Sequence, residues 1–106
     1  MKNADVIEKF IYLQGEEKSK TQHLYIDTEN KQLINYNTVI AQWNGTEEQT
    51  KELVIDVNYY SQTTSKIQGE IIKQVKKARK NGYIFFLVMN GTSDRIEQFT
   101  SRLKAE

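Results

Sequence analysis

The stretch from Ser61 to Gly82 constrains the fold of this chain most tightly. Ile67, Ile71, Val75 and Ala78 recur every three or four residues, which sets them on one stripe of a helix. Ser61, Thr63 and Thr64 can each accept a backbone N–H at its start, and Asn81-Gly82 offers a left-handed residue to close it. Strand-like segments lie on both sides. Leu53, Ile55, Val57 and Tyr59 alternate with Val54, Asp56, Asn58 and Tyr60, while Tyr83 to Met89 is continuously apolar. A helix joining two strands of one sheet makes a right-handed crossover, so a mixed sheet is expected, with Tyr83–Met89 as a central strand covered on both faces.

The remaining segments fit around this unit. Val6, Ile7, Phe10 and Ile11 share one side of a first helix, started by Asn3 or Asp5 and ended by Gly15. Glu16 to Thr21 lacks apolar periodicity and reads as a surface loop. His23 to Asp27 alternates as a strand, and Thr28-Glu29-Asn30-Lys31 reads as a hairpin turn. A second strand is expected from about Gln32 to Trp43. Its parity switches between Ile34, Tyr36 and Ile40 on one side and Leu33, Val39, Ala41 and Trp43 on the other, which predicts a bulge or a strand covered on both faces. Asn44-Gly45 turns the chain. A last helix begins near Ser93 or Asp94, with Ile96, Phe99 and Leu103 inward. The expected architecture is one α+β domain over residues 1–106, in the order α-β-β-β-α-β-α, with helices on a small mixed four-stranded sheet.

Composition narrows the chemistry. The 106 residues include no Cys and one His, His23, which argues against a disulfide framework, thiolate or multi-histidine metal sites and thiol nucleophiles, and no cofactor is expected. No apolar run approaches the roughly 20 residues that span a bilayer, so no membrane contact and a cytoplasmic location are expected. A chain this short needs nearly every large apolar side chain for its core, leaving little for a substrate cleft of roughly 300–1,000 Å³. No pair of carboxylates lies in an apolar setting that would raise one pKa for acid–base work, and no Gly-x-Ser-x-Gly turn or glycine-rich phosphate loop occurs. The size and motif content favour a binding protein over an enzyme.

Charge is unevenly spread. Residues 16–56 carry eight acids and four bases, whereas residues 57–106 carry four acids and nine bases. At about 100° per residue, Lys66, Lys73, Lys76, Lys77 and Lys80 cluster opposite the apolar stripe of the long helix, with Glu70 as the one acid there. That stripe can neutralise phosphates or dock on another macromolecule; it can equally be a solvated helix face. Glu47, Glu48 and Glu52 can imitate phosphate spacing toward a basic groove, or simply solvate a loop. Trp43, Tyr36, Tyr59 and Tyr60 lie near strand ends, where rings either fill the core or stack on a partner. Gly69, inside the long helix, marks a close packing contact or a notch for a partner.

Tyr36-Asn37-Thr38-Val39-Ile40-Ala41, Asn44-Gly45 and Tyr60-Ser61-Gln62-Thr63-Thr64-Ser65-Lys66 together resemble a family of very small proteins of unassigned function from phages and mobile elements of Gram-positive bacteria. Those proteins share a Tyr-x-Thr-x-Ile-Ala strand followed by a Tyr-Ser-x-Thr-Thr-x-Lys helix start. The likeness covers about a third of the chain, and the family's usual His after the lysine is Ile67 here. Physically, the second motif is a strand-to-helix junction capped by hydroxyls, or a site where Ser61, Thr63, Thr64, Lys66 and free N–H groups receive an anion beside Tyr60. The resemblance implies a phage-like context. The expected function is a non-enzymatic accessory protein that binds a host protein or ribonucleoprotein complex, most concretely an anti-CRISPR inhibitor of a Cas9-type nuclease. The alternative is a small nucleic-acid-binding regulator that uses the basic face of the long helix.

Overall fold

The computed structural model describes residues 1–45 and 51–105, in which three helices cover one face of a five-stranded sheet. The elements are α1 (Asn3–Ile11), β1 (Leu24–Asp27), β2 (Gln32–Asn35), β3 (Thr38–Asn44), β4 (Glu52–Asp56), α2 (Gln62–Lys80), β5 (Phe86–Asn90) and α3 (Ser93–Lys104). The first four strands form an antiparallel meander, and α2 carries the chain across so that β5 pairs parallel with β4. Burial alternates along β1, β2 and β4. Leu24, Ile26, Leu33, Leu53 and Ile55 therefore face the helices, while the opposite face stays open.

The α+β class and the mixed sheet are as expected, but the sheet has five strands, not four. The run from Gln32 to Trp43 folds back on itself between Asn35 and Thr38, where Tyr36 adopts a left-handed backbone with φ 55°. Two contacts offset the cost of that conformation for a bulky residue. The Tyr36 N–H donates to the His23 carbonyl at 2.7 Å, and its ring stacks on the His23 imidazole with centroids 4.4 Å apart. The parity switch has a second source. Leu33 lies opposite Ala41 and Ile34 opposite Val39, so Ile40 is an extra residue in β3 and the bulge turns both Ile40 and Ala41 inward.

The apolar run Tyr83–Met89 is not a central strand. β3 already occupies one side of β4, so β5 joins the other side and becomes the edge of the sheet. Phe85 is buried, Leu87 and Met89 pack on the core, and Ile84 and Phe86 face water. Helix α1 also stops earlier than Gly15. Leu13 takes the left-handed position with φ 56°, and the bonds Leu13 N–H to Phe10 O and Gln14 N–H to Lys9 O close the helix. Helix α2 ends as its sequence predicts: Gly82 has φ 95°, and Tyr83 N–H donates to Ala78 O at 3.1 Å. One apolar cluster links Phe10 and Trp43 to Ile71, Val75 and Phe99, with the Trp43 indole N–H donating to Phe10 O at 3.0 Å.

Candidate functional site

The Tyr60–Lys66 motif lies at the junction of β4 and α2, and the hydroxyls of Tyr60, Ser61, Thr64 and Ser65 are engaged within the molecule. Ser61 is the N-cap: its Oγ accepts the Thr64 N–H at 3.1 Å. The Thr64 side chain is buried, and its hydroxyl donates to Asn35 Oδ1 at 2.7 Å. Asn35 in turn donates from Nδ2 to His23 O at 3.0 Å, so the start of α2 is tied to the end of β2 and to the residue before β1. The Tyr60 hydroxyl donates to the Asp56 carboxylate, and that bond, helped by partial desolvation, holds the phenol above its ordinary pKa. These contacts leave Thr63 and Lys66 exposed at the start of the helix.

Arg95 completes the junction from α3. Its Nε donates to Val57 O at 2.9 Å, and its Nη2 donates to Ser65 Oγ and Gln68 Oε1, each at 3.1 Å. Its guanidinium also lies over the rings of Phe99 and Tyr59, 4.9 and 5.5 Å from their centroids. Gln68, fully buried, donates from Nε2 to Asp56 O and Asn58 O. Neither Arg95 nor Gln68 stands out in the sequence, because each belongs to an ordinary helical pattern and its partners come from distant segments.

The lysines of α2 separate into two groups. Lys66, Lys73, Lys77 and Lys80 are exposed along one face of the helix, a row of roughly 21 Å at 1.5 Å per residue. Lys76 is half-buried toward α3; its Nζ donates to Arg102 O at 3.2 Å and also to Ala105 O, so it caps the carbonyl end of α3. Arg102 crosses back over α2. Its guanidinium sits on Phe99, and a Cβ built on Gly69 would lie 3.1 Å from its Nη1. Gly69 thus makes room for α3, and Arg102 adds a cation beside the lysine row. Among the described residues the sole ion pair joins Lys18 to Glu16, so no acid neutralises this row by direct contact.

The other sequence-derived residues are dispersed. Glu47 and Glu48 lie outside the described residues, and Glu52 is half-buried on β4, where Oε1 accepts from Asn44 Nδ2 at 3.3 Å. Trp43 is buried, whereas Tyr36, Tyr59 and Tyr60 are exposed at loops flanking the sheet. Tyr83, Ile84 and Phe86 form a further exposed apolar group at the start of β5. Its sequence signal was the charge-free run itself, but exposure depended on β5 being an edge. Among the described residues no three His, Asp or Glu side chains gather as a metal site, and no helix is long and apolar enough to cross a membrane. No protein-family model, curated protein or solved structure matches the chain.

Proposed function

We propose that this chain works by binding a phosphate-bearing macromolecule along the solvent face of α2. The observation that carries this reading is the row Lys66, Lys73, Lys77 and Lys80, exposed without ion pairs among the described residues and flanked by Arg102. Lysines spaced along one straight helix track a phosphate backbone without reading sequence, because each contributes a point charge rather than a base-edge contact. The hydroxyls of Ser61 and Thr64 support the start of that helix rather than the contact itself. Under this reading the chain is a small accessory or regulatory protein of the phage-like kind that its motif resembles, and it has no reaction to catalyse.

The net charge of +1 favours a second form of the same idea. It gives little long-range attraction to naked nucleic acid, so the lysine row would act on nucleic acid already held by a host ribonucleoprotein, with a Cas9-type nuclease as the most concrete partner. A mobility-shift titration with duplex and single-stranded nucleic acid separates the two. A shift that disappears when Lys66, Lys73, Lys77 and Lys80 become Glu supports direct binding. Inhibition of nuclease cleavage without a shift on free nucleic acid, lost in the same variant, supports the second form. Absence of both effects refutes the proposal. Lys76→Met is the control: it should lower stability by about 0.5–1 kcal/mol, because it uncaps α3, and leave binding unchanged.

A further inference from the structure

β5 is a sheet edge with no charge of its own; a cation beside it, Arg79 of α2, sits at its start, where Nη2 donates to Phe85 O at 3.4 Å. Phe86 N–H donates to Lys51 O at 3.0 Å, and Asn90 O accepts from Val57 N–H at 2.8 Å. In a parallel ladder these directions alternate by residue, so Phe86, Val88 and Asn90 bond toward β4, while Leu87 and Met89 present their backbone N–H and C=O outward. Among the described residues no strand pairs with that outer side. No residue from Asn81 to Ser93 is charged, and the chain has no proline, so from Phe86 to Asn90 the strand itself carries none of the usual devices that keep an edge from pairing. The opposite edge of the sheet differs: Lys20 bridges to Tyr25 there, and Asp27 ends the strand with a charge.

We infer that β5 pairs antiparallel with β5 of a second copy of this chain, joining two sheets into one of ten strands about a two-fold axis. Self-pairing satisfies the outward groups of Leu87, sets those of Met89 against Phe85 of the second copy, whose carbonyl also accepts from Arg79, and opposes no charged residues within the two strands. With Leu87 opposite its own symmetry mate, Phe86 lies opposite Val88 of the second copy on the open face, so apolar side chains meet twice. Ile84, Phe86 and Tyr83 are 92%, 64% and 52% exposed. Together they leave on the order of 400 Å² of side chain in water per copy. A pair could withdraw at most about 800 Å² of these side chains, Tyr83 contributing least because its ring packs edge-on against Tyr12, so the paired backbone edge must supply the rest of the roughly 1,200 Å² of the smaller stable interfaces. The pairing stops at two copies because it consumes both β5 edges and leaves only the bridged β1 edges outside. An axis normal to the sheet keeps both helical layers, and both lysine rows, on the same side.

The test is sedimentation equilibrium of the full chain from low to high micromolar concentration, alongside Ile84→Lys/Phe86→Lys and the milder Phe86→Gln. The wild type should reach twice the 12.4 kDa of one chain and no more. The double variant should stay at one chain with an unchanged circular dichroism spectrum, and Phe86→Gln should shift the association to higher concentration. Hydrogen exchange should show the Leu87 and Met89 amides protected at high concentration and released on dilution. A wild type that stays monomeric, including one that uses the patch for a different protein, overturns the inference. Growth beyond two copies, or a dimer with fast exchange at both amides, overturns it as well. The Lys66, Lys73, Lys77 and Lys80 to Glu variant should still dimerise, which keeps this result separate from the fate of the α2 binding reading.

Discussion

Lys31 holds a left-handed backbone with φ 55° although its side chain is exposed, and its carbonyl accepts the Trp43 N–H at 3.0 Å. Glycine there keeps the carbonyl and removes the Cβ clash, so Lys31→Gly should stabilise the protein by about 0.5–1 kcal/mol, read as a higher urea midpoint at unchanged slope. In the same hairpin the Asn30 amide and then its backbone N–H donate to Asp27, holding that carboxyl below its usual pKa. A carboxyl lowered on folding adds stability above its unfolded value, near 3.9, and loses it as pH falls through the lower folded value. Asp27→Ala should therefore lower the urea midpoint at neutral pH and narrow its difference from the wild type as the medium is acidified below about pH 4. An equal difference at every pH would contradict this.

Arg95 binds three elements at once: the end of the β4 connection through Val57, α2 through Ser65 and Gln68, and its own helix through Phe99. Arg95→Ala leaves the Val57 carbonyl and Gln68 Oε1 without a donor and should cost about 2–3 kcal/mol in thermal or urea unfolding; Arg95→Lys should recover less than half, since one ammonium cannot bond in three directions. This contact also shows where sequence reading stops. Helices α2 and α3 and the alternating strands β1 and β4 were legible because their periods match a helical stripe or a one-sided sheet. The hairpin at Tyr36 was not, since neither Tyr36 nor Asn37 is a glycine and a tyrosine pays for φ 55° with a stacking partner, His23, that lies in another strand. Nor was the edge position of β5: an apolar run looks the same whether a second strand covers it or water does. At the junction, the Ser61 cap was readable, while the Thr64 bond to Asn35 required knowing that β2 ends beside α2.

The molecule as a whole separates its surfaces. The helices cover one face of the sheet, α2 turns its lysine row outward, and β5 is an edge strand built of uncharged residues. With a net charge of +1, the chain as a whole adds little to phosphate attraction, so affinity should depend on the local row rather than on overall charge. The most direct measurement is the salt dependence of the binding constant for duplex DNA, read by fluorescence anisotropy. Four lysines on phosphates predict a log–log slope of about −3 to −4 that becomes shallower by about 1 for each of Lys66, Lys73, Lys77 and Lys80 replaced by Gln, with Lys76→Met leaving it unchanged. Measurable binding with a slope near zero, or with one that the four replacements do not alter, would contradict the account, as would absence of binding together with absence of any lysine-dependent nuclease inhibition.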